Sequence, residues 1–313
     1  MERKLQKMGG ETMTKLPKIE TTRDKILDAI KATAEERHSQ RIGASWIGSD
    51  CDRAIWYKFR WAKLGGFDGR MLRLFRTGKL AEEQMANDLR ATGATVHDVD
   101  PDTGEQFFFS DLSGHLCGFM DGAGVGFVEA PATWHVIEYK THNDKSFSDL
   151  EKNGVEKSKP QHYAQLQLYM GWSGMKRALY VAENKNTSDL HIERIKFVKK
   201  EFEALRQRAK EIIFAIDPPE RMSDSPAFWK CKMCEFSGIC HETGEIAEKN
   251  CRTCAYSTAM EDSESGEWLC EKFGKTIDKY EQKAACELHT YLNGMAPSKA
   301  LECAKAFGGK IKL

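Results

Sequence analysis

Three residues near the middle of the chain have the types and spacing that phosphodiester chemistry needs. Asp121 stands at the end of one predicted strand, and Glu138 and Lys140 lie two apart on a second. Strand side chains alternate between faces, so Glu138 and Lys140 point the same way and Tyr139 points the other way. If the two strands pair, the Asp121 side chain lies on the same face as Glu138 and Lys140. Two carboxylates beside an ammonium can hold Mg²⁺ or Mn²⁺, while the lysine orients or deprotonates a water next to a phosphate.

A Glu-x-Lys pair alone is also typical of an exposed strand with alternating charges. Three further features favour the chemical interpretation. Asp121 is followed by a glycine, Gln165 and Tyr169 are four apart on a following predicted helix, and Glu82 lies on an earlier one.

Cysteines are concentrated towards the C-terminal end, where seven of the ten lie between residues 231 and 286. The chain shows no export signal, so metal or cluster ligation explains this spacing better than disulfides do. Cys231, Cys234 and Cys240 offer three thiolates with no fourth nearby. Cys117 and Cys303 are isolated, which is typical of small buried hydrophobic residues.

A second set of cysteines has the spacing of a structural zinc site. It starts with a C-x-x-C pair and continues with fifteen residues in each longer gap: Cys251, Cys254, Cys270 and Cys286. Four thiolates at such spacings predict one Zn²⁺ ion in a short segment that lacks a large apolar core. His289 is an alternate fourth ligand, and unligated or partly ligated thiols are the alternative interpretation.

The 47 basic and 47 acidic side chains cancel, so nucleic-acid binding requires local clustering. Residues 41–79 contain nine basic and three acidic residues. The candidate nucleic-acid contacts are Arg53, Lys58, Arg60, Arg73, Arg76 and Lys79, with a solvated surface as the alternative. Aromatic residues interleave with them at Trp46, Trp56, Tyr57 and Trp61, where core packing is favoured over base stacking.

The elements that must position these residues indicate a mixed α/β fold. Apolar periodicity and turn residues predict helices, then strands, then a crossover helix with two more strands and a long final helix. The predicted helices are 22–31, 45–61, 70–89, 160–171 and 199–216. The predicted strands are 95–99, 106–109, 116–119, 126–129, 134–140, 178–182 and 191–197.

With Asp121-Gly122, Glu138-Tyr139-Lys140 and Gln165-x-x-x-Tyr169 in this order, the sequence resembles the PD-(D/E)xK nuclease superfamily over residues 40–240. It is most similar to the RecB-like branch of phage-type exonucleases and iron-sulfur nucleases. The resemblance implies a restriction-endonuclease-like core, in which helices flank a central mixed sheet, followed by metal-stapled C-terminal modules. We expect a flexible tail at 1–20, a nuclease domain at 21–245, a zinc module at 246–292 and a C-terminal tail at 293–313.

The resemblance also implies roles for the central residues. Asp121 and Glu138 would ligate the catalytic metal together with the backbone carbonyl of Tyr139. Lys140 would position the nucleophilic water.

Residues on two helices would assist them. Glu82 would support a metal from the core helix, and Gln165 with Tyr169 would orient Lys140 or the scissile phosphate. Ala81 stands where this branch often has a histidine before the helix glutamate.

The iron-sulfur members of the branch use one cysteine ahead of the nuclease core and three behind it. This implies Cys51 as the fourth ligand beside Cys231, Cys234 and Cys240. Four thiolates suit a [4Fe-4S] cluster. Zinc in the same four thiolates is the alternative.

Together these features predict a Mg²⁺- or Mn²⁺-dependent deoxyribonuclease, an exonuclease acting on a duplex end or a single strand. A non-catalytic nucleic-acid-binding or assembly module on the same fold is the alternative. A zinc or iron-sulfur regulator would leave the Asp, Glu and Lys residues unexplained.

The resemblance to phage exonucleases suggests a DNA recombination or repair setting, with a recombination or replication protein as a further partner. No apolar run is long enough to span a membrane, and the charged start is followed by no apolar segment. We therefore expect a protein of the bacterial or phage-infected cytoplasm.

Overall fold

The computed structural model describes residues 20–34 and 39–297, and contacts divide them into two units. Residues 20–34 and 67–76 belong to the first unit, and 39–66 and 77–297 belong to the second. Cys303 lies outside the described residues. The predicted tails, 1–20 and 293–313, also lie outside the described residues, except for residue 20 and residues 293–297.

The first unit contains helix α1, Thr22–Ala32, which confirms the helix predicted from residue 22. Its start is fixed by a capping box: the Thr21 hydroxyl accepts from Asp24 N at 3.2 Å, and the Asp24 carboxylate accepts from Thr21 N. In the same unit the rings of Phe67 and Phe75 meet edge to face, 4.8 Å between centroids.

The second unit begins with strand β1, Ile42–Gly43, and two short helices, α2 (Ala44–Ile47) and α3 (Asp52–Phe59). The single helix predicted over 45–61 is therefore wrong. The Arg208 guanidinium donates to the carbonyls of Ile47 and Ser49, both at 2.5 Å. It thus satisfies acceptors that a continuing helix would use.

Helix α4, Gly69–Ala91, confirms the helix predicted over 70–89 and belongs to the second unit from Thr77 onward. The strands that follow are β2 (Thr95–His97), β3 (Phe108–Asp111), β4 (Leu116–Phe119), β5 (Gly122–Val125) and β6 (His135–His142). The strand predicted over 126–129 is wrong. Gly126 has a φ of +98°, and the chain turns there at the end of β5.

Two helices and two strands follow, and then a long helix. Their bounds are α5 (Asp144–Ser158), α6 (Pro160–Ser173), β7 (Arg177–Asn184), β8 (Leu190–Lys196) and α7 (Lys199–Phe214). The sequence prediction omitted α5, which Asn143 caps by accepting from Ser146 N at 2.9 Å. The two helices and two strands predicted over 160–216 are confirmed to within a few residues.

The central sheet is mixed and has the order β2-β5-β6-β7-β8. Strands β6 and β7 are parallel, and the other neighbours are antiparallel. Tyr139 packs with Met85 and Leu89 of α4, whereas Val136 belongs to the core cluster that includes residues of α6. The alternation predicted for β6 is therefore confirmed. A smaller sheet has the order β1-β4-β3.

The C-terminal segment consists of short elements packed on this core. They are α8 (Trp229–Lys232), α9 (Ser237–Cys240), a 3₁₀ turn (Cys251–Thr253), β9 (Ser257–Ala259), β10 (Trp268–Cys270), β11 (Lys275–Ile277) and α10 (Lys279–Ala284). Trp268 is fully buried, with its ring centroid 5.2 Å from that of Phe59. The segment therefore shares its hydrophobic core with the rest of the second unit.

None of the helices in the described ranges combines the length and the apolar character needed to cross a membrane.

Candidate active site

Asp121 and Glu138 face each other across the β5–β6 hairpin. The register pairs Gly122 with Ile137 and Ala123 with Val136, and continuing it by one residue places Asp121 opposite Glu138. Asp121 Oδ2 accepts a hydrogen bond from the Tyr139 amide at 3.2 Å. The predicted strand 116–119 does not make this pairing, because β4 pairs with β1 and β3 of the smaller sheet. Strand β5, which begins directly after Asp121 and was not predicted, pairs with β6 instead.

Lys140 contacts three of the four groups that were predicted to hold a metal, which are Glu138, the Tyr139 carbonyl and Asp121. Its Nζ donates to Glu138 Oε1 and to the Tyr139 carbonyl, at 3.1 Å for the carbonyl, and lies 3.9 Å from Asp121 Oδ2. The ammonium is therefore surrounded by the oxygens of this site.

Glu138 is fully buried, and its environment opposes ionisation. Burial, followed by the negative charge of Asp121, raises the pKa of Glu138 to about 8. Its second oxygen, Oε2, is buried and has no hydrogen-bond partner among the described residues. An unpartnered buried carboxylate oxygen is unfavourable unless a proton or a cation satisfies it.

Lys140 keeps its proton despite being enclosed. Burial lowers its pKa, but the carboxylates of Glu138 and Asp121 outweigh this effect and raise the pKa above its usual value. In the cation-free protein the side chain is therefore an ammonium at neutral pH, and it donates hydrogen bonds.

Glu82, on α4, acts on this site through its charge. Burial, and then the Asp121 carboxylate, raise the pKa of Glu82, whereas the Lys140 and Lys79 ammonium groups lower it. Among the described residues, no three His, Cys, Asp or Glu side chains are already arranged to hold a metal ion. Metal binding by Asp121 and Glu138 would therefore require side chains at this site to rearrange.

Gln165 and Tyr169 contact the chain that leads to Asp121. Gln165 Nε2 donates to the Tyr169 hydroxyl at 3.1 Å, and this hydroxyl donates to the Phe119 carbonyl at 2.7 Å. The pair thus holds the chain two residues before Asp121 and makes no hydrogen bond to Lys140. Gly118 permits this packing, because a Cβ there would overlap the Tyr169 ring.

A buried polar group beside the site was not predicted. The Tyr180 hydroxyl lies 2.9 Å from His142 Nε2 and 2.8 Å from His162 Nδ1. Burial lowers the pKa of His142 to about 4 and that of His162 to about 3. His142 lies two residues after Lys140 on β6, so strand alternation would have placed it on the same face.

The predicted nucleic-acid contacts have different environments. Arg60 is 3% exposed and donates to the carbonyls of Arg252 and Ala215, which corrects its expected role because it cannot reach a phosphate. Arg53 donates to the Pro219 carbonyl at 2.6 Å.

The remaining four basic residues are exposed. Lys58 lies 4.1 Å above the Trp46 ring, and Lys79 lies on α4 near Glu82. Arg73 and Arg76 are exposed in the first unit. Trp56, Tyr57 and Trp61 are buried, as the packing interpretation predicted.

Each predicted cysteine set lines one cavity. A cavity of about 210 Å³ is lined by Cys51, Cys231, Cys234 and Cys240. Arg53 Nη1 lies 3.9 Å from Cys240 Sγ at this cavity. A cavity of about 20 Å³ is lined by Cys251, Cys254, Cys270 and Cys286, together with His289. Cys117 is buried in β4.

Two carboxylates and a lysine lie together at one end of the β5–β6 hairpin, on a mixed sheet flanked by helices. A family model described as the PD-(D/E)XK nuclease superfamily matches residues 14–241, more than half of the chain. The chain belongs to this superfamily, which confirms the expected fold class. Members of this superfamily usually use Mg²⁺ or Mn²⁺.

Solved structures include distant similarities. SSO0001 is 16% identical with a TM-score of 0.41, covering 69% of this chain and 92% of that chain. LHK-Exo in complex with dAMP is 14% identical with a TM-score of 0.39, and the match covers 55% of this chain and 85% of that chain. The alkaline exonuclease LHK-Exo from Laribacter hongkongensis is 15% identical with a TM-score of 0.39, and the match covers 59% of this chain and 89% of that chain. No curated protein matches the sequence.

Proposed function

We propose that this chain is a metal-dependent deoxyribonuclease, an exonuclease of the RecB-like type, that hydrolyses phosphodiester bonds at the site around Lys140. The observation that carries the proposal is the unpartnered, fully buried Glu138 Oε2, which lies on a residue placed opposite Asp121. Hard oxygen donors in this arrangement suit a hard divalent cation.

The residues that would hold Mg²⁺ or Mn²⁺ are Asp121, Glu138 and the carbonyl of Tyr139, supported by the charge of Glu82. A divalent cation there would polarise the phosphate and lower the pKa of a nearby water. The same oxygens now contact Lys140 Nζ, so this donor set is already gathered in the protein.

Lys140 would act as a donor. Because its pKa is raised, Nζ holds its proton at neutral pH and can hydrogen-bond the oxygen of a water or of the scissile phosphate. Tyr169 would fix the position of Asp121 through the Phe119 carbonyl. Exposed Lys79 provides a positive charge close to Glu82, where a DNA backbone would approach.

We also propose that Cys51, Cys231, Cys234 and Cys240 bind a [4Fe-4S] cluster. Their common cavity of about 210 Å³ has room for more than a single ion. The Arg53 guanidinium beside Cys240 Sγ would stabilise negative charge on that sulfur. The test measures the iron and sulfide content of protein that is purified without air. Cys231→Ser should lose both iron and sulfide. Colourless wild-type protein with zinc bound to these four cysteines would contradict the cluster assignment.

The function is tested by incubating end-labelled linear DNA and covalently closed circular DNA with the purified chain and Mg²⁺ or Mn²⁺. We expect nucleotides to be released from linear DNA, the circle to stay intact, and chelation to stop the reaction. Lys140→Ala should abolish release, while Lys152→Ala, which removes an exposed lysine of α5, should not.

Three outcomes would contradict the proposal. Undiminished cleavage by Lys140→Ala would remove the mechanism. Cutting of the circle would indicate an endonuclease. Tight, salt-sensitive DNA binding without any turnover would indicate a non-catalytic module.

A further inference from the structure

The second cysteine set lies beyond the part of the chain that matches the nuclease family, which ends at residue 241. Cys251 begins the 3₁₀ turn and Cys254 follows it, Cys270 ends β10, and Cys286 lies two residues after α10. Three separate elements thus bring four thiols to one cavity.

The size of this cavity limits what it can hold. Its volume is about 20 Å³, compared with about 210 Å³ at the first cysteine set. A space of this size accommodates about one water molecule or one ion. A polynuclear iron-sulfur cluster does not fit there.

We propose that Cys251, Cys254, Cys270 and Cys286 bind one structural Zn²⁺ ion. Four thiolates around a space for one ion match the tetrahedral, sulfur-rich coordination that zinc adopts in structural sites. The thiols line the cavity without forming a ready-made ligand set, so binding requires rotation about their χ1 bonds.

His289 also lines the cavity but is engaged elsewhere. Its Nε2 lies 3.2 Å from the Thr253 hydroxyl, and its ring packs edge to face on Tyr291, 4.6 Å between centroids. These contacts leave the four cysteines as the ligands and His289 as a residue that positions the Cys251–Cys254 turn.

Four thiolates at one small cavity would repel one another unless a cation lay between them. Zinc binding by four thiols should therefore release protons.

The ion would secure a residue that enters the nuclease core. Arg252, directly after Cys251, is fully buried, with its guanidinium 3.9 Å from the Trp61 ring centroid. It donates to the Phe59 carbonyl at 2.9 Å and to the Gln40 carbonyl at 3.0 Å. Zinc at Cys251 would therefore hold Arg252 in place and stabilise the whole second unit.

The experiment measures zinc and iron per chain, and the melting temperature, for the full-length protein. Cys254→Ser and Cys286→Ser should each lose one zinc per chain and melt at a lower temperature. Cys117→Ala removes a buried thiol outside both sets and should keep the zinc. Cys231→Ser should keep this zinc while losing iron, which separates the two sets.

Wild-type protein reconstituted with Co²⁺ supplies a second measurement in case the serine variants do not fold. We expect the absorption bands of tetrahedral cobalt bound to thiolates, with the same bands in His289→Ala. Wild-type protein without this zinc, zinc retained by both serine variants, or cobalt bands of an octahedral site would overturn the proposal. Because Lys140→Ala should keep its zinc, failure of the nuclease assignment is distinguishable from failure of this one.

Discussion

Lys140 Nζ donates a hydrogen bond to Glu138 and lies 3.9 Å from Asp121 Oδ2, so one ammonium lies beside both carboxylates of the hairpin. The lysine acts as an internal counterion for acids that burial would otherwise neutralise. A divalent cation would bind the same oxygens, so the ammonium and the cation compete for Glu138.

Glu138→Gln should eliminate metal-dependent cleavage, with a loss of about 10³-fold or more, because a neutral amide cannot replace a carboxylate ligand. At neutral pH without added cation, the melting temperature should not fall, since burial disfavours the charged form of Glu138 and an amide carries no charge. Activity and melting are compared with Glu156→Gln, on an exposed face of α5. Cleavage at the wild-type rate would exclude Glu138 as a ligand.

Cleavage at limiting Mg²⁺ should become faster as the pH rises towards about 8. Glu138 must lose its proton before it can ligate a cation, and its pKa is raised to about 8 by burial and by Asp121. Because cation and proton compete, more Mg²⁺ should move the midpoint of the pH–rate profile to lower pH. A midpoint that is independent of Mg²⁺ concentration would contradict this coupling.

The raised pKa of Glu138 also predicts how the stability of the cation-free protein changes as the pH rises. The folded-state pKa of Glu138 lies above the unfolded value of 4.5, so the folded state binds the proton more tightly. This contribution to the free energy of unfolding is complete below pH 4.5 and is lost as the pH rises through about 8. Melting curves across this range should show the decline, and Glu138→Gln should flatten it.

Tyr169→Phe should lower the cleavage rate about 10-fold and leave the affinity for DNA unchanged. It removes the hydrogen bond to the Phe119 carbonyl that fixes the chain before Asp121, and it should destabilise the protein by about 1 kcal/mol. Turnover and DNA binding are measured separately, with exposed Tyr280→Phe as the control. Weaker DNA binding with an unchanged cleavage rate would show that Tyr169 contributes to DNA binding and does not position Asp121.

Acid should destabilise the protein through the histidines around Tyr180. Burial holds the pKa of His142 at about 4 and that of His162 at about 3, below the unfolded value of 6.5. Their contribution to stability is present above pH 6.5 and is lost as the pH falls towards 4. Melting temperatures between pH 7 and pH 4 should fall less steeply in the double variant His142→Gln/His162→Gln.

The sequence predicted those parts of the site that depend on local pattern. Strand alternation correctly placed Glu138 and Lys140 on one face and Tyr139 on the other, because the period of a strand is fixed by backbone geometry. The opposition of Asp121 and Glu138 needed the additional assumption that two strands pair, which the pattern does not specify.

What the sequence could not supply depends on distant contacts. The break between α2 and α3 coincides with hydrogen bonds from Arg208, more than 150 residues away, which local pattern does not reveal. Gly48, the C-cap of α2, is the local signal that the prediction passed over. Arg60 was expected at the surface because arginines usually lie there, but carbonyls of Arg252 and Ala215 satisfy it inside the core. Strand β5 contains two glycines, so its propensity gave no signal.

The packing of Trp268 against Phe59 bears on how a minimal enzyme fragment could be prepared. A fragment cut after residue 241 would lack Trp268, Arg252 and the buried Met295, and would expose the rings of Phe59 and Trp61 to water. Such a fragment should aggregate when expressed, although it contains every residue proposed for catalysis. The C-terminal segment thus completes the hydrophobic core of the second unit. It does not form a separate module that could be moved to another protein.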